Sequence, residues 1–129
     1  MATHLAVFVG EAINHILTGD KSVDIRLSRS ATLPYRKIMS GDEIYLKQSS
    51  GAVMAKVEVE NVLYFHHLTP EKIAQIAQKY GEQINMPIAF WDSKQKSQYA
   101  TLIFLSNPQR LLSTINYHKN DRRSWVVLQ

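Results

Sequence analysis

A chain of 129 residues, 45% hydrophobic and 20% charged, is long enough to bury one core and too short for two, and its balance excludes disorder, collagen and coiled coil. It has no cysteine, which rules out disulfides, thiolate zinc sites and a cysteine nucleophile and fits a reducing compartment. The formal charge of +4 favours an anionic partner. No apolar run approaches the roughly 20 residues of a membrane helix, and the N-terminus lacks a signal-peptide pattern, so the expectation is one cytoplasmic domain over residues 1–129 with no membrane partner.

In chain order, HLAVFV reads as a short buried strand. EAINHILTG follows as a helix, with Ala12, Ile13, Ile16 and Leu17 on one stripe and Gly19 placed to stop it in a left-handed conformation. Val23, Ile25 and Leu27 then alternate with Ser22, Asp24 and Arg26, the period of a half-buried strand with one face inward and one polar. SRSATLPYRKIMS is a loop with a helical turn at PYRKI, and Gly41-Asp42 turns the chain into the strand EIYLKQ. In AVMAKVEVENVLYF, Val53, Ala55, Val57 and Val59 share one face, but after Asn61 the apolar positions move to Val62 and Tyr64. That change of parity predicts a bulge near Glu60 or Asn61, as expected where a strand curls around a small barrel.

LTPEKIAQIAQKYG has the marks of a helix: Thr69 to cap it, Pro70 in its first turn, Ile73, Ile76, Ala77 and Tyr80 on one stripe, and Gly81 to end it. EQINMPIAFWDSKQ suggests another short helix or turn with Phe90 and Trp91 packing inward. YATLIFL is apolar on both faces, as in a strand covered on both sides. PQRLLSTINY reads as an irregular or extended connection, and SWVVLQ as a last strand. With no repeat or linker, the pattern is an α+β domain of about six strands around a curled sheet, with two or three flanking helices.

Chemistry concentrates in GDKSVDIR. Residues 19–37 hold five cations (Lys21, Arg26, Arg29, Arg36, Lys37) against two anions (Asp20, Asp24), a local surplus. Lys21 acts as a base or nucleophile only where burial or another cation lowers its pKa, whereas a carboxylate beside it keeps it charged. Arg26 is the better anion reader, since its planar fork holds phosphate or a base edge by two bonds. Strict alternation puts Lys21 on the face opposite Asp24 and Arg26. The three converge only if the strand begins after Lys21.

Gly19, Lys21, Asp24 and Arg26, a G-x-K-x-x-[E/D]-x-R pattern after the first helix, followed by Gly41-Asp42, YATLIFL and WVVL, resemble the ASCH domain family of the PUA-like superfamily. The resemblance covers essentially the whole chain and implies a small PUA-like mixed β-barrel with a cleft between barrel and helices, floored by Lys21 and Arg26. It further implies binding of RNA or nucleotides. A bacterial group similar to this family removes acyl groups from acetylated cytidine with a lysine at the position of Lys21. That group has a hydroxyl residue where this chain has Asp24, and a glutamate at a position that spacing matches to Ile84.

The leading expectation is therefore a nucleic-acid or nucleotide-binding module, RNA first, with Lys21 and Arg26 in the cleft and Arg29, Arg36, Lys37, Lys119, Arg122 and Arg123 as phosphate contacts. Tyr117, His118, Lys119, Arg122 and Arg123 before Trp125 interleave cations with aromatics, as single-strand platforms do. The alternative is an amidohydrolase on a modified nucleoside with Lys21 and Asp24 as catalytic residues, and a further one is a ligand-sensing or protein-interaction domain. No cofactor is called for. His66-His67 lacks ligand spacing and gives no metal site, Trp91 is a candidate base-stacking ring, and Ser113 and Thr114 have no acid–base partner nearby in sequence.

Overall fold

A computed structural model describes residues 1–117 and 122–129. The elements run β1 (Thr3–Phe8), α1 (Ala12–Thr18), β2 (Val23–Ser28), β3 (Glu43–Gln48), β4 (Val53–Phe65), α2 (Pro70–Ile84), α3 (Ile88–Ser93), β5 (Tyr99–Ile115) and β6 (Trp125–Val127). All six strands join one sheet in the order β2-β5-β4-β3-β1-β6. Only β1 and β3 pair in parallel; the other neighbours are antiparallel. The architecture is a curled α+β half-barrel, open between its edge strands β2 and β6.

The curl comes from the long strands. The β4–β5 register shifts between Val59 and Asn61, where the change of apolar parity predicts a bulge, and shifts again between Lys56 and Glu58 and between Val53 and Ala55. At the second of these, β5 carries Asn107 in a left-handed conformation (φ 50) beside Pro108. An extra residue on one strand bends it and raises its twist, so β5 does not stop at Pro108. Gln109 and Arg110 pair with Lys56 and Ala55, and Ile115 pairs with Val53. PQRLLSTINY is thus strand through Ile115, and the expected irregular connection is corrected.

Two cores lie on opposite sides of the β5–β4 part of the sheet. One fills the barrel, with Ala6, Phe8, Ile13, Ile16, Ile44, Leu46, Val57, Ile103 and Trp125. The other lies under α2, with Val23, Ile25, Leu27, Ile73, Ile76, Ile84 and Leu102. This is why YATLIFL is apolar on both faces: Ile103 belongs to the first core, Ala100 and Leu102 to the second. Burying each aliphatic side chain of α2 contributes about 2 kcal/mol.

The start of α2 follows the sequence reading, with the Thr69 side chain accepting from Lys72 N–H. Its end does not. The helix continues through Gly81 to Ile84 and is capped by Asn85 in a left-handed conformation (φ 52, ψ 56), whose N–H donates to the Gly81 carbonyl. The extension beyond Gly81 matters because it carries the Ile84 carbonyl to the site. PYRKI forms successive turns, Tyr35 N–H to Thr32 O and Lys37 N–H to Pro34 O, rather than a helical turn. Among the described residues no helix is long and apolar enough to cross a membrane.

Candidate functional site

The stretch GDKSVDIR is folded by the ends of two helices. Gly19 adopts φ 89, ψ −1 and closes α1 with its N–H on the Ile16 carbonyl, while Lys21 N–H donates to His15 O at 3.0 Å. The chain then meets the C-terminus of α2. Ser22 N–H donates to Gln83 O at 3.0 Å, and Lys21 Nζ donates to Ile84 O at 2.5 Å. The last carbonyls of a helix have no partner within it, and a cation at that end also meets the negative pole of the macrodipole. Lys21 therefore has a structural task as well as a place in the site.

Since β2 begins at Val23, alternation does not reach back to Lys21. Its ammonium comes to the same side as Asp24, with Nζ 3.8 Å from Oδ1. Arg26 completes the group, its Nε donating to Asp24 Oδ2 at 2.8 Å. Lys21 and Asp24 are only 2% and 6% exposed. The polar face of β2, expected to stay in solvent, is thus largely covered as well: Val23, Ile25 and Leu27 lie under α2, while Asp24 and Arg26 turn toward the open seam of the barrel.

Arg26 bridges that seam. Its Nη2 donates to Val7 O on β1 at 3.2 Å, and its guanidinium carbon lies 4.7 Å from the Phe8 ring centroid and 5.2 Å from that of Trp125 on β6. Two hydrogen bonds and two aromatic faces hold the planar group in one orientation. Among the described residues Nη1 has no partner, so one edge of the fork remains for a ligand. Behind it, Trp125 Nε1–H donates to His4 Nδ1 at 3.1 Å. An indole nitrogen only donates, so the imidazole proton sits on Nε2 and points to Asp42 Oδ2, 2.8 Å away.

The motif floors a cleft of about 450 Å³. Val7, Phe8, Ala12, Leu33, Pro34, Met86 and Phe90 give it apolar walls; Lys21, Arg26 and Lys94 are its cations, and Asp24 is the one carboxylate among the residues lining it. Lys94 and Met86 had no local signal in the sequence, and Phe90 was expected only to pack inward. They reach the cleft because α3 folds back beside β2, and the Lys94 ammonium sits 5.7 Å from the Phe90 ring centroid. Trp91 packs against the second core and does not line the cleft.

Among the described residues, the other cations of the sequence reading do not line the cleft. Arg29, Arg36 and Lys37 are exposed and outside the cleft; Arg36 stacks on Tyr35 and Tyr64, 5.5 and 5.8 Å from their centroids. Arg122 and Arg123 line a second pocket, and Lys119 lies outside the described residues. Ser113 and Thr114 are exposed on the far half of β5. Among the described residues no cluster of three or more histidines and carboxylates could hold a metal ion.

Burial pushes the Lys21 amine below the usual lysine range; Asp24 opposes this and Arg26 reinforces it. The site thus couples an ammonium strained toward its neutral form with a carboxylate and a fixed guanidinium. Chemically it presents cationic hydrogen-bond donors and one carboxylate in an apolar slot.

The fold was compared with those of known proteins. An ASCH protein from Zymomonas mobilis superposes with a TM-score of 0.76 at 16% identity, over 99% of this chain and 88% of that one. The fold is that of the ASCH domain. A tyrosine-to-phenylalanine variant of the same ASCH protein gives 0.76 at 16% identity, over 100% and 91%. The N-terminal domain of Staphylothermus marinus McrB is more distant, with a TM-score of 0.53 at 12% identity over 89% of this chain and 76% of that one. No protein-family profile matches the sequence, and no curated protein does. At such identities the ASCH likeness is one of architecture, and function has to be argued from the cleft.

Proposed function

We propose that this ASCH-fold chain binds a nucleotide or a stretch of nucleic acid, RNA first, in the cleft floored by Lys21, Asp24 and Arg26. The observation that carries the reading is the fixed Arg26 fork, with Nη1 uncommitted among the described residues, at the base of an apolar-walled slot. A guanidinium held flat suits a phosphate or the acceptor edge of a base, and Phe90 offers a ring against which a base packs. Three cations against one carboxylate along the cleft give the sign an anionic ligand requires.

The test is calorimetric titration of wild type, Arg26→Lys and Arg26→Ala with ribonucleoside monophosphates and short RNA and DNA oligonucleotides across salt concentrations. Arg26→Lys keeps the charge but loses the fork. Affinity is expected to fall by roughly tenfold in Arg26→Lys, since a hydrogen bond from a charged donor contributes about 1.5–3 kcal/mol. Equal affinity of Arg26→Lys and wild type would remove the basis of the reading.

A second reading is favoured by one observation, the lowered pKa of a lysine that lines the cleft. In it the protein is an amidohydrolase on acylated cytidine or a related nucleoside, with Lys21 as base or nucleophile and Asp24 orienting it. Against it, Lys21 Nζ is engaged by Ile84 O and Asp24, both of which favour the ammonium. The side chain at the position matched to a glutamate, Ile84, is buried in the second core. Release of carboxylate from N-acylated cytidine by wild type, abolished in Lys21→Arg, would establish this reading over simple binding.

A further inference from the structure

The second pocket, of about 650 Å³, adjoins the cleft. Among the described residues it is lined by Lys47, Arg122 and Arg123, by the serines Ser49, Ser50 and Ser124, and by Asn116 and Tyr117, with no aspartate or glutamate among them. Two of those residues, Val7 and Ser124, also line the cleft. The partition between the two spaces is one backbone pairing, Val7 N–H to Ser124 O at 2.9 Å, and the Val7 carbonyl on it holds Arg26. The two spaces therefore share one wall.

Lys47 indicates what the pocket takes. It is 9% exposed, and the hydrogen bond its ammonium makes is a 3.2 Å contact with the carbonyl of the next residue, Gln48. Among the described residues it forms no ion pair. A largely buried lysine side chain that borders a pocket, with no carboxylate partner among the described residues, is best compensated by an anion in that pocket. Here the available compensation is a ligand oxyanion, with serine hydroxyls and Arg122 around it. Few lining residues are aliphatic, so the pocket suits a phosphate and not a base.

Resting on the nucleotide reading of the cleft, we infer that the second pocket is a phosphate subsite for the strand leaving the cleft across the Val7–Ser124 partition. The ligand class is then a single-stranded oligonucleotide of at least two nucleotides, its base in the cleft and its next phosphate on Lys47 and Arg122, with Tyr117 available for stacking. A free mononucleotide fills only half of the surface.

The experiment compares ribonucleoside 5′-monophosphates with the corresponding homopolymeric tetraribonucleotides on wild type, Arg122→Ala and Lys47→Gln. Arg122 is exposed, so its variant separates binding from folding; thermal unfolding verifies Lys47→Gln. Wild type is expected to bind tetranucleotide at least roughly tenfold tighter than monophosphate. Each variant should cut that advantage severalfold and make the salt slope shallower by about 0.7 for each phosphate no longer neutralised. Monophosphate binding that depends on Arg26, combined with a tetranucleotide advantage and salt slope that both variants leave intact, overturns the subsite and spares the cleft. No monophosphate or oligonucleotide binding by wild type overturns the cleft reading itself, and the threading with it.

Discussion

Asp42 offers the sharpest test of how the site is held. Its carboxylate, 1% exposed, accepts from Ala2 N–H at 2.9 Å, Met39 N–H at 3.1 Å and His4 Nε2 at 2.8 Å. Asp42→Ala leaves all three donors without a partner. An orphaned donor costs about 1–3 kcal/mol. The two backbone groups are only partly buried and fall at the low end, whereas His4 is 0% exposed and falls at the high end, giving a loss of about 5 kcal/mol by that scale. In Asp42→Asn the amide oxygen serves His4 and Met39 together while its NH2 faces Ala2 N–H, which loses its partner. That change should cost about 2 kcal/mol.

Urea unfolding followed by far-UV circular dichroism measures both losses, with the slope m unchanged if the native state alone is affected. The pH dependence gives a second readout. Burial alone would raise the Asp42 carboxyl, but the hydrogen bonds from Ala2, His4 and Met39 outweigh it and hold the group below the usual aspartate range. Its contribution is thus fully present above the unfolded value of about 3.9 and is lost as pH falls through the lower folded value. Asp42→Asn should lack that acid limb. A loss below ~1 kcal/mol in Asp42→Ala, smaller than a single orphaned buried donor, or an Asn variant no better than the Ala variant, would refute this account of the network.

Lys21 tests the opposite sign. Its folded pKa lies below the unfolded value of about 10.4, so the unfolded chain binds more protons between the two, and stability rises with pH through that window. Lys21→Met should flatten this alkaline rise, and urea midpoints that climb equally in both proteins would contradict the burial of its charge. At the end of α2, Asn85→Gly should be neutral or mildly stabilising and Asn85→Ala should cost about 1 kcal/mol, because the left-handed cap suits residues that tolerate positive φ. Equal thermal midpoints for the two variants would mean that the cap conformation contributes nothing to stability.

What the sequence disclosed depended on whether the signal was local. Thr69-Pro70 marks the start of α2 because capping acts within one turn, and the parity change at Asn61 marks a bulge because side-chain alternation is a property of the strand itself. The end of α2 was hidden: Gly81 sits within the helix, and the left-handed residue is Asn85. Likewise Asn107-Pro108 looks like a stop but is an irregularity inside β5, after which exposed residues on both faces erase the period. In the site, the Gly19-to-Arg26 spacing was legible, but the covering of its polar face was not. The contributions of Lys94, Phe90 and Ser124 arise only when α3 folds beside β2 and the curl of the sheet brings β6 to face β2 across the seam.

The placement of Arg26 over Trp125 has a practical consequence. The chain has two tryptophans, and the other, Trp91, is half-buried on the second core. Trp91→Phe therefore leaves one indole, behind the cleft floor and in contact with the guanidinium that a ligand would engage. Its emission becomes an intrinsic optical gauge of occupancy, reporting the site without any label attached to protein or ligand.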